Sequence, residues 1–262
     1  AIQACEQFLR NYPESEYNEE VKYFLADAYY RRDRLEEALP VFDQLKYVRN
    51  SYTGRILLRL GDIHARFGNN KKAESSYQLL LTLNLSEKDN YRARYGLLKL
   101  YVANEQTEAT IALVDDLLAG GWLPANAKEE ALLAKAEAYR SQNNLAAARE
   151  TYLLIKDKKS AFGAAANFQL SYLLFLDGDH EQSLDQLFSL NANYGSYTSW
   201  VNQSYLLIAK NYIAMEEYFQ AKATLRSIIQ HAEDAEVIAN AQKLLDQIEG
   251  STSQIDTTQN QN

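Results

Sequence analysis

A repeated pattern of large and small residues is the feature of this sequence that most constrains its fold. Six segments align with a mean period of about 37 residues. In each, three positions recur with the spacing that places them on one face of an α-helix: a large residue, the residue directly after it, and the residue four after it. The large position holds Leu25, Leu60, Leu97, Lys135, Leu170 and Ile208, and the next position holds Ala26, Gly61, Leu98, Ala136, Ser171 and Ala209. The third, which we name the inward Tyr position, holds Tyr29, His64, Tyr101, Tyr139, Leu174 and Tyr212.

The second half of each segment repeats as well. Its small position holds Ala38, Ala73, Thr110, Ala148, Ser183 and Ala221, and the large position four later holds Phe42, Tyr77, Val114, Tyr152, Leu187 and Leu225. Small residues at the closest approach of two antiparallel helices, with large residues around them, are typical of a packed helical pair. The sequence therefore predicts an all-α protein built from six consecutive helix pairs.

This pattern resembles the tetratricopeptide repeat (TPR) family, whose units combine the same aromatic, Leu, small and Tyr positions in helix A with Ala and Phe in helix B. Departures from it include Lys135 at an apolar position and Leu98 at a small one. The resemblance implies a right-handed superhelical α-solenoid. The six repeats are predicted over residues 18–47, 53–86, 90–120, 127–158, 161–194 and 199–234.

The ends of the chain lie outside these repeats. Residues 1–12 are predicted to form the second helix of a truncated preceding repeat, with Ala4 at its small position and Phe8 at its large one. Residues 235–249 are predicted to form an amphipathic helix that caps the array. Residues 250–262 contain one aliphatic residue, and a disordered tail is predicted there.

A finer resemblance involves residues 12–30, YPESEYNEEVKYFLADAYY. A Tyr-Pro-x-Ser-x-Tyr linker before Tyr-x-Leu-Ala-x-x-Tyr-Tyr is similar to TPR proteins of the bacterial cell envelope, including periplasmic ones. This resemblance implies a periplasmic or envelope-associated protein, with a cytoplasmic location as the alternative.

Composition and motifs argue against several kinds of partner and site. The chain has 27 Lys+Arg against 35 Asp+Glu, a net charge of -8, and no basic block, which argues against nucleic acid as a partner. No segment approaches the roughly 18 consecutive apolar residues of a membrane-spanning helix. One Cys and three His give no metal-ligand spacing, and no phosphate-binding loop or nucleophile elbow occurs. We expect no enzymatic activity, no metal and no cofactor, and we interpret His64 as a packed core residue.

In the TPR family the first helices line a concave groove. Transferring the groove positions onto this sequence gives a mixed-charge, Tyr-bearing groove in the first repeats and a more apolar one in repeats five and six. The predicted partner-binding residues are Tyr23, Asp27, Tyr30, Arg55, Arg92, Tyr95, Phe168, Tyr172, Phe175, Leu206 and Lys210. We name Phe168, Tyr172, Phe175 and Leu206 the apolar set of repeats five and six. Two alternatives stay open for it: it binds a partner, or it is covered by the protein's own chain.

The function predicted is a non-enzymatic scaffold that binds a peptide segment or protein surface in the groove, in a bacterial envelope assembly. One alternative is a sensory or regulatory TPR module of a larger protein with a separate effector domain. Another is an array that self-associates. The identity of the partner does not follow from the sequence.

Overall fold

A computed structural model describes residues 1–120 and 123–259 of the chain. Within this part the backbone forms fourteen α-helices and no strand. The helices are α1 Ile2–Asn11, α2 Asn18–Tyr30, α3 Leu35–Leu45, α4 Thr53–Arg66, α5 Asn70–Leu83, α6 Glu87–Ala103, α7 Thr107–Ala119, α8 Ala125–Ser141, α9 Leu145–Leu153, α10 Ala161–Leu176, α11 His180–Asn193, α12 Thr198–Ala214, α13 Tyr218–His231 and α14 Ala235–Gln259. This is an α-solenoid of helical pairs, as the sequence pattern predicts.

The chain divides into two compact units, residues 1–125 and 126–262. Each of the six predicted repeat ranges corresponds to one helix pair, from α2–α3 to α12–α13, but α6, α8 and α12 begin at residues 87, 125 and 198, before the predicted starts at 90, 127 and 199. From α1 to α7, and again from α9 to α14, each helix packs against the next one in the chain. Helix α4 also contacts α6, and α12 contacts both α10 and α14, so these alternate helices lie side by side.

The second helices form the most uniform part of the core. In all six copies the small position and the large position four residues later are buried. The large position three residues further on is buried too, and it holds Leu45, Leu80, Leu117, Ile155, Leu190 and Ile228. The first helices are less uniform, since Lys135 at its apolar position is half-buried with its ammonium 5.6 Å from the centre of the Tyr139 ring.

One left-handed residue marks the turn between the two helices of every repeat. The positive φ angles belong to Asp33, Gly68, Glu105, Asn143, Gly178 and Glu216, each two residues before the second helix begins. A left-handed residue reverses the chain in few residues and is easiest for Gly, Asn and Asp. Glu105 and Glu216 adopt it although neither is one of these residue types, so in those two turns the packing of the helix pair holds the conformation.

Tyr77 of α5 shows why the neighbouring first helices carry glycine. A Cβ at Gly61 of α4 would lie 2.4 Å from the Tyr77 ring, and one at Gly96 of α6 would lie 2.6 Å from it. The ring therefore fills the space between α4 and α6. In repeat three this contact is made by Gly96, whereas Leu98, at the small position of the sequence pattern, is a buried core residue.

The register predicted for the first helix is wrong. Ala4 is exposed, and the residues of α1 that meet the core are Ile2, Cys5 and Leu9. Phe8 is half-buried and lies 5.2 Å from the Tyr12 ring. The apolar stripe of Ile2, Cys5 and Leu9 buries more branched aliphatic surface than the stripe through Ala4 does, which favours the shifted register.

The C-terminal region also differs from its prediction. Helix α14 does not end at residue 249 but continues to Gln259, so the predicted disordered tail is not seen over residues 250–259. Adding one residue to an existing helix is far easier than starting one, which explains why a polar sequence continues it. Residues 260–262 of that prediction lie outside the described residues.

Candidate functional site

The described residues contain neither a candidate metal site nor a candidate membrane-spanning helix. No group of three or more His, Cys, Asp or Glu among them could hold a metal ion. No helix in the same part of the chain has the length and apolar character of a membrane span. His180 contacts the Asn211 side chain and His231 the Ser227 carbonyl, both through Nδ1, so two of the three histidines have structural partners. Surface grooves are the remaining candidates.

The first of these, the unit 1 groove, lies along the first helices of repeats one to three. It encloses about 740 Å³. Its described lining includes Tyr30 of α2, Leu58, Asp62, Ala65 and Arg66 of α4, and Arg92, Tyr95 and Lys99 of α6, with Asn104 at one end. These helices align their groove positions because first helices stack side by side.

A hydrogen-bond network forms the floor of this groove. Asp62 accepts hydrogen bonds from the Tyr30 hydroxyl at 3.2 Å and from the Tyr77 hydroxyl at 2.8 Å. The Arg59 guanidinium lies 4.1 Å from the centre of the Tyr30 ring and 3.7 Å from Asp62. Arg59 also lies 3.6 Å from Asp27, so one cation joins α2 to α4. The Asp62 carboxylate is therefore held from three sides.

Burial and the negative charge of Asp62 together set the protonation state of the two tyrosines in this network. Both effects raise the pKa of Tyr77, and both raise that of Tyr30. The phenols consequently keep their protons and donate to the carboxylate at neutral pH. A ligand would meet Asp62 with its acceptor sites largely occupied.

The rim of the unit 1 groove is cationic. Arg66, Arg92 and Lys99 lie on it, and Asp62 is the carboxylate found among its described lining residues. Lys99 is exposed, with its ammonium 4.4 Å from the centre of the Tyr95 ring. Arg66 pairs with Asp33 at 2.6 Å, and Arg92 lies 3.8 Å from Asp89. Lys99, beside the Tyr95 ring, is therefore the rim cation for which no ion pair is found within the described part of the chain.

The second groove, the unit 2 groove, encloses about 520 Å³. Its lining comes from α8, α10, α12 and α14, and the described residues are Arg140, Phe168, Gln169, Tyr172, Gln203, Leu206, Leu207, Lys210, Asn240, Lys243, Leu244 and Gln247. Phe168 lies 5.5 Å from the Trp200 ring. Arg140, Lys210 and Lys243 contribute positive charge, and no carboxylate occurs among these described lining residues.

Helix α14 gives this groove one of its walls. It packs against α13 and α12, as the first helix of a further repeat would. Val237, Ala241 and Leu245 join Leu206 in one buried cluster. The apolar set of repeats five and six is thus divided, because α14 buries Leu206 as core while Phe168 and Tyr172 stay half-buried at the groove.

Seven of the eleven predicted partner-binding residues line one of the two grooves. Tyr30, Arg92 and Tyr95 line the unit 1 groove, and Phe168, Tyr172, Leu206 and Lys210 line the unit 2 groove.

Two predicted groove residues are structural instead. Tyr23 is 3% exposed and stacks on Tyr52 with ring centres 4.2 Å apart. Asp27 is 8% exposed and pairs with Arg31 at 2.6 Å. A partner in the groove has little access to either side chain, because neighbouring side chains of the same unit occupy both.

The last two predicted residues lie outside the described groove linings. Arg55 is exposed and bonds to the Tyr23 hydroxyl, which raises the pKa of its guanidinium. Phe175 packs against the core cluster around Leu187 and lies 5.3 Å from the His180 ring. Sequence reasoning also missed residues that do line a groove, namely Asn240, Lys243 and Gln247 of α14, because that helix was interpreted as a cap alone.

Comparisons with known proteins agree with the helical-repeat fold. Residues 56–91 match a family model described as Tetratricopeptide repeat, and residues 203–234 match a second model with that description. A comparison with curated protein sequences finds no match. The two matched segments lie in repeats two and six, and they support the TPR resemblance of the sequence pattern.

Solved structures show the same fold. A tetratricopeptide repeat protein from Parabacteroides merdae is 19% identical, with 94% of this chain and 91% of that chain covered and a TM-score of 0.55. The C-terminal part of a TPR repeat-containing protein from Cytophaga hutchinsonii is 13% identical, with 91% and 93% covered and a TM-score of 0.68. PilW, described as a widely conserved type IV pilus biogenesis factor, is 19% identical, with 86% of this chain and 100% of that chain covered and a TM-score of 0.53.

Proposed function

We propose that this protein is a non-enzymatic interaction scaffold that holds an extended segment of a partner protein in the unit 1 groove. The observation that carries the proposal is the cavity of about 740 Å³ lined by Tyr30, Leu58 and Tyr95 beside Arg92 and Lys99. Apolar and aromatic surface flanked by fixed charge is the usual composition of a peptide-binding hot spot. Solenoids with stacked first helices are built to present such extended surfaces.

The chemistry of the groove selects the kind of segment. Arg66, Arg92 and Lys99 lie on the rim, and the Asp62 carboxylate is occupied by two tyrosine hydroxyls. A segment that places an apolar side chain against Tyr95 and acidic side chains near Lys99 complements this pattern. The net charge of -8 repels such a segment from other surfaces, which favours its docking in the groove.

The unit 2 groove is a second candidate surface for the same function. Phe168 and Tyr172 offer half-buried aromatic rings, and Lys210 and Lys243 are exposed cations beside them. This surface also lacks a carboxylate among its described lining residues. It therefore suits an acidic segment with an aromatic or aliphatic anchor.

We further propose that the scaffold acts in a bacterial cell-envelope assembly. The resemblance of residues 12–30 to envelope TPR proteins supports this setting. The structural likeness to PilW, a type IV pilus biogenesis factor, is compatible with this setting. Fractionation of cells that produce the full-length protein tests the location, and recovery in the cytoplasm alone would contradict it.

A pair of crosslinking sites tests the groove directly. A photo-reactive phenylalanine analogue replaces Tyr95 in the groove, and the control replaces Tyr17, which is 56% exposed and lines none of the described pockets. The expected result is capture of a discrete protein from position 95 and not from position 17. Equal capture at both positions, or none at position 95, would contradict the proposal.

A charge reversal then tests the chemistry of the segment. Lys99→Glu should lower capture several-fold, because it places a like charge beside the acidic side chains of the segment. The matched control is Lys71→Glu, an exposed lysine of α5 that lies outside the described groove lining. If Lys99→Glu leaves capture unchanged, the groove would still be the binding site, but the proposal that the bound segment is acidic would be refuted.

A further inference from the structure

The inward Tyr position makes the same hydrogen bond in two repeats of unit 1. The Tyr29 hydroxyl donates to Glu6 at 2.6 Å, and the Tyr101 hydroxyl donates to Glu74 at 2.8 Å. In both cases the carboxylate lies on the second helix of the preceding repeat, α1 or α5. Each Glu directly follows the inward residue at the small position of that helix, Cys5 or Ala73. The fold thus pairs a first-helix ring with a carboxylate on the preceding second helix.

Repeat two lacks the carboxylate of this arrangement. Its inward Tyr position holds His64, and the residue after Ala38 on the preceding second helix is Leu39. His64 is 8% exposed, and its Nδ1 has no hydrogen-bond partner among the described residues. A buried polar atom without a hydrogen-bond partner is unfavourable, so such atoms are rare unless something else binds there.

A cavity of about 480 Å³ lies where the missing carboxylate would be. Its described lining includes Leu39 and Pro40 of α3, His64 of α4, and Lys72 and Ser76 of α5. None of its described lining residues belongs to the unit 1 groove. The volume is large enough for a small organic acid or for the end of an acidic side chain.

Charge in this cavity favours an anion. Burial is the largest cause that lowers the pKa of the His64 imidazole. The positive charges of Lys72 and Lys46 lower it further, while the negative charge of Asp43 raises it. Asp43 is bound by Lys46 at 2.9 Å. No ion pair of Lys72 is found within the described part of the chain, so Lys72 is the cation left to neutralise a ligand.

We propose that this cavity binds a carboxylate group, which accepts a hydrogen bond from the His64 imidazole and is neutralised by Lys72. The ligand carboxylate takes the place that Glu6 and Glu74 take beside Tyr29 and Tyr101. Its source is either a free small carboxylate or an acidic side chain of a bound protein, and both present the same oxygens to the ring. The site is independent of the unit 1 groove and of the function proposed for it.

The imidazole itself reports on binding. A carboxylate beside the ring favours the imidazolium, so binding should raise the pKa of His64 from its depressed value and shift its Cε1–H resonance. The titratable and charged groups around the cavity besides His64 are Asp43, Lys46, Tyr47 and Lys72. His231, exposed on α13, serves as the reference within the same spectrum.

The experiment is an NMR titration of the three histidines in the full chain, with acetate in one arm and N-acetylglutamate amide in the other. We expect a saturable shift of His64 with His231 unchanged. Saturation by acetate indicates a site for free small carboxylates, and saturation by the glutamate derivative alone indicates a side-chain site. No saturable shift of His64 with either probe would overturn the proposal.

Two variants make the assignment specific. Lys72→Gln should weaken binding by roughly two- to fivefold, the effect of losing one solvent-accessible ion pair, whereas its exposed neighbour Lys71→Gln should have no effect. Leu39→Glu supplies the carboxylate from the protein itself, so it should raise the pKa of His64 without ligand and abolish the response to acetate. Equal effects of the two lysine variants would overturn the role of Lys72.

Discussion

Replacing Gly96 by Ala tests whether Tyr77 fills the space between α4 and α6. An added Cβ would lie 2.6 Å from Cε1 and Cζ of the Tyr77 ring, and ordinary contact begins at 3.4 Å. The ring would have to retreat by about 0.8 Å. Gly61 of α4 packs against the same ring, since a Cβ there would lie 2.4 Å from it, and the Tyr77 hydroxyl donates to Asp62 at 2.8 Å. A shift of the ring away from residue 96 would therefore disturb that hydrogen bond.

Two opposing effects decide the free energy of unfolding of this variant. Ala is a better helix former than Gly by up to about 1 kcal/mol. Overpacking a filled site costs about 1–3 kcal/mol, and a lost hydrogen bond to a charged group costs about 1.5–3 kcal/mol. The destabilising effects are larger, so Gly96→Ala should lower stability by about 1–3 kcal/mol. For a chain of this size each kcal/mol lowers Tm by about 2–4 °C.

Urea unfolding followed by far-UV circular dichroism measures this difference. The control is Gly250→Ala in α14, where nothing lies within 4 Å of the added Cβ, so stability should stay equal or rise. In a Tyr77→Leu background the ring is absent, and adding Gly96→Ala should then cost nothing, which is the signature of a coupled pair. A Gly96→Ala variant as stable as the wild type would refute the reasoning, as would equal costs in both backgrounds.

Three further predictions concern the turns and the buried polar contacts. At Gly68 φ is 70° and nothing lies within 4 Å of an added Cβ, so Gly68→Ala should lower the free energy of unfolding by about 1 kcal/mol through backbone strain alone. Glu105→Gly should leave it unchanged or raise it in the same urea assay. The reverse order of the two variants would contradict the shared left-handed turn. Asn211 is fully buried and donates to Ser183 at 3.0 Å, so Asn211→Leu should lower the free energy of unfolding by about 1–3 kcal/mol, and an unchanged urea midpoint would count against the network. Burial and the hydrogen bond to Glu74 raise the pKa of Tyr101 from 10.0 to about 12. A phenol whose pKa is higher in the folded state than in the unfolded state adds to the free energy of unfolding, fully below pH 10 and less and less as the pH rises towards 12. Tyr101→Phe should therefore make the free energy of unfolding, measured with urea, fall less steeply between pH 10 and pH 12. An unchanged slope would refute the prediction.

The sequence by itself determined the helix pairs and most of their core. Positions four residues apart must share a helical face, and the small and large positions of the second helices are buried in all six repeats as that periodicity requires. Helical spacing also places Arg92, Tyr95 and Lys99 on one face of α6, and all three line the unit 1 groove, although the expectation that this face lines a groove came from the TPR resemblance. Local periodicity is sufficient for such inferences because it depends only on the geometry of one helix.

Only the tertiary structure decided which of those faces stays open to a ligand. Tyr23 and Asp27 share the helical face of Tyr30, yet Tyr52 and Arg31 occupy them. The bonds of Tyr29 to Glu6 and of Tyr101 to Glu74 join residues 23 and 27 positions apart, and the absence of such a carboxylate beside His64 is visible only once α3 and α4 are packed together. Burial and hydrogen bonding depend on what a neighbouring helix presents, and the sequence pattern of a single helix does not contain that information.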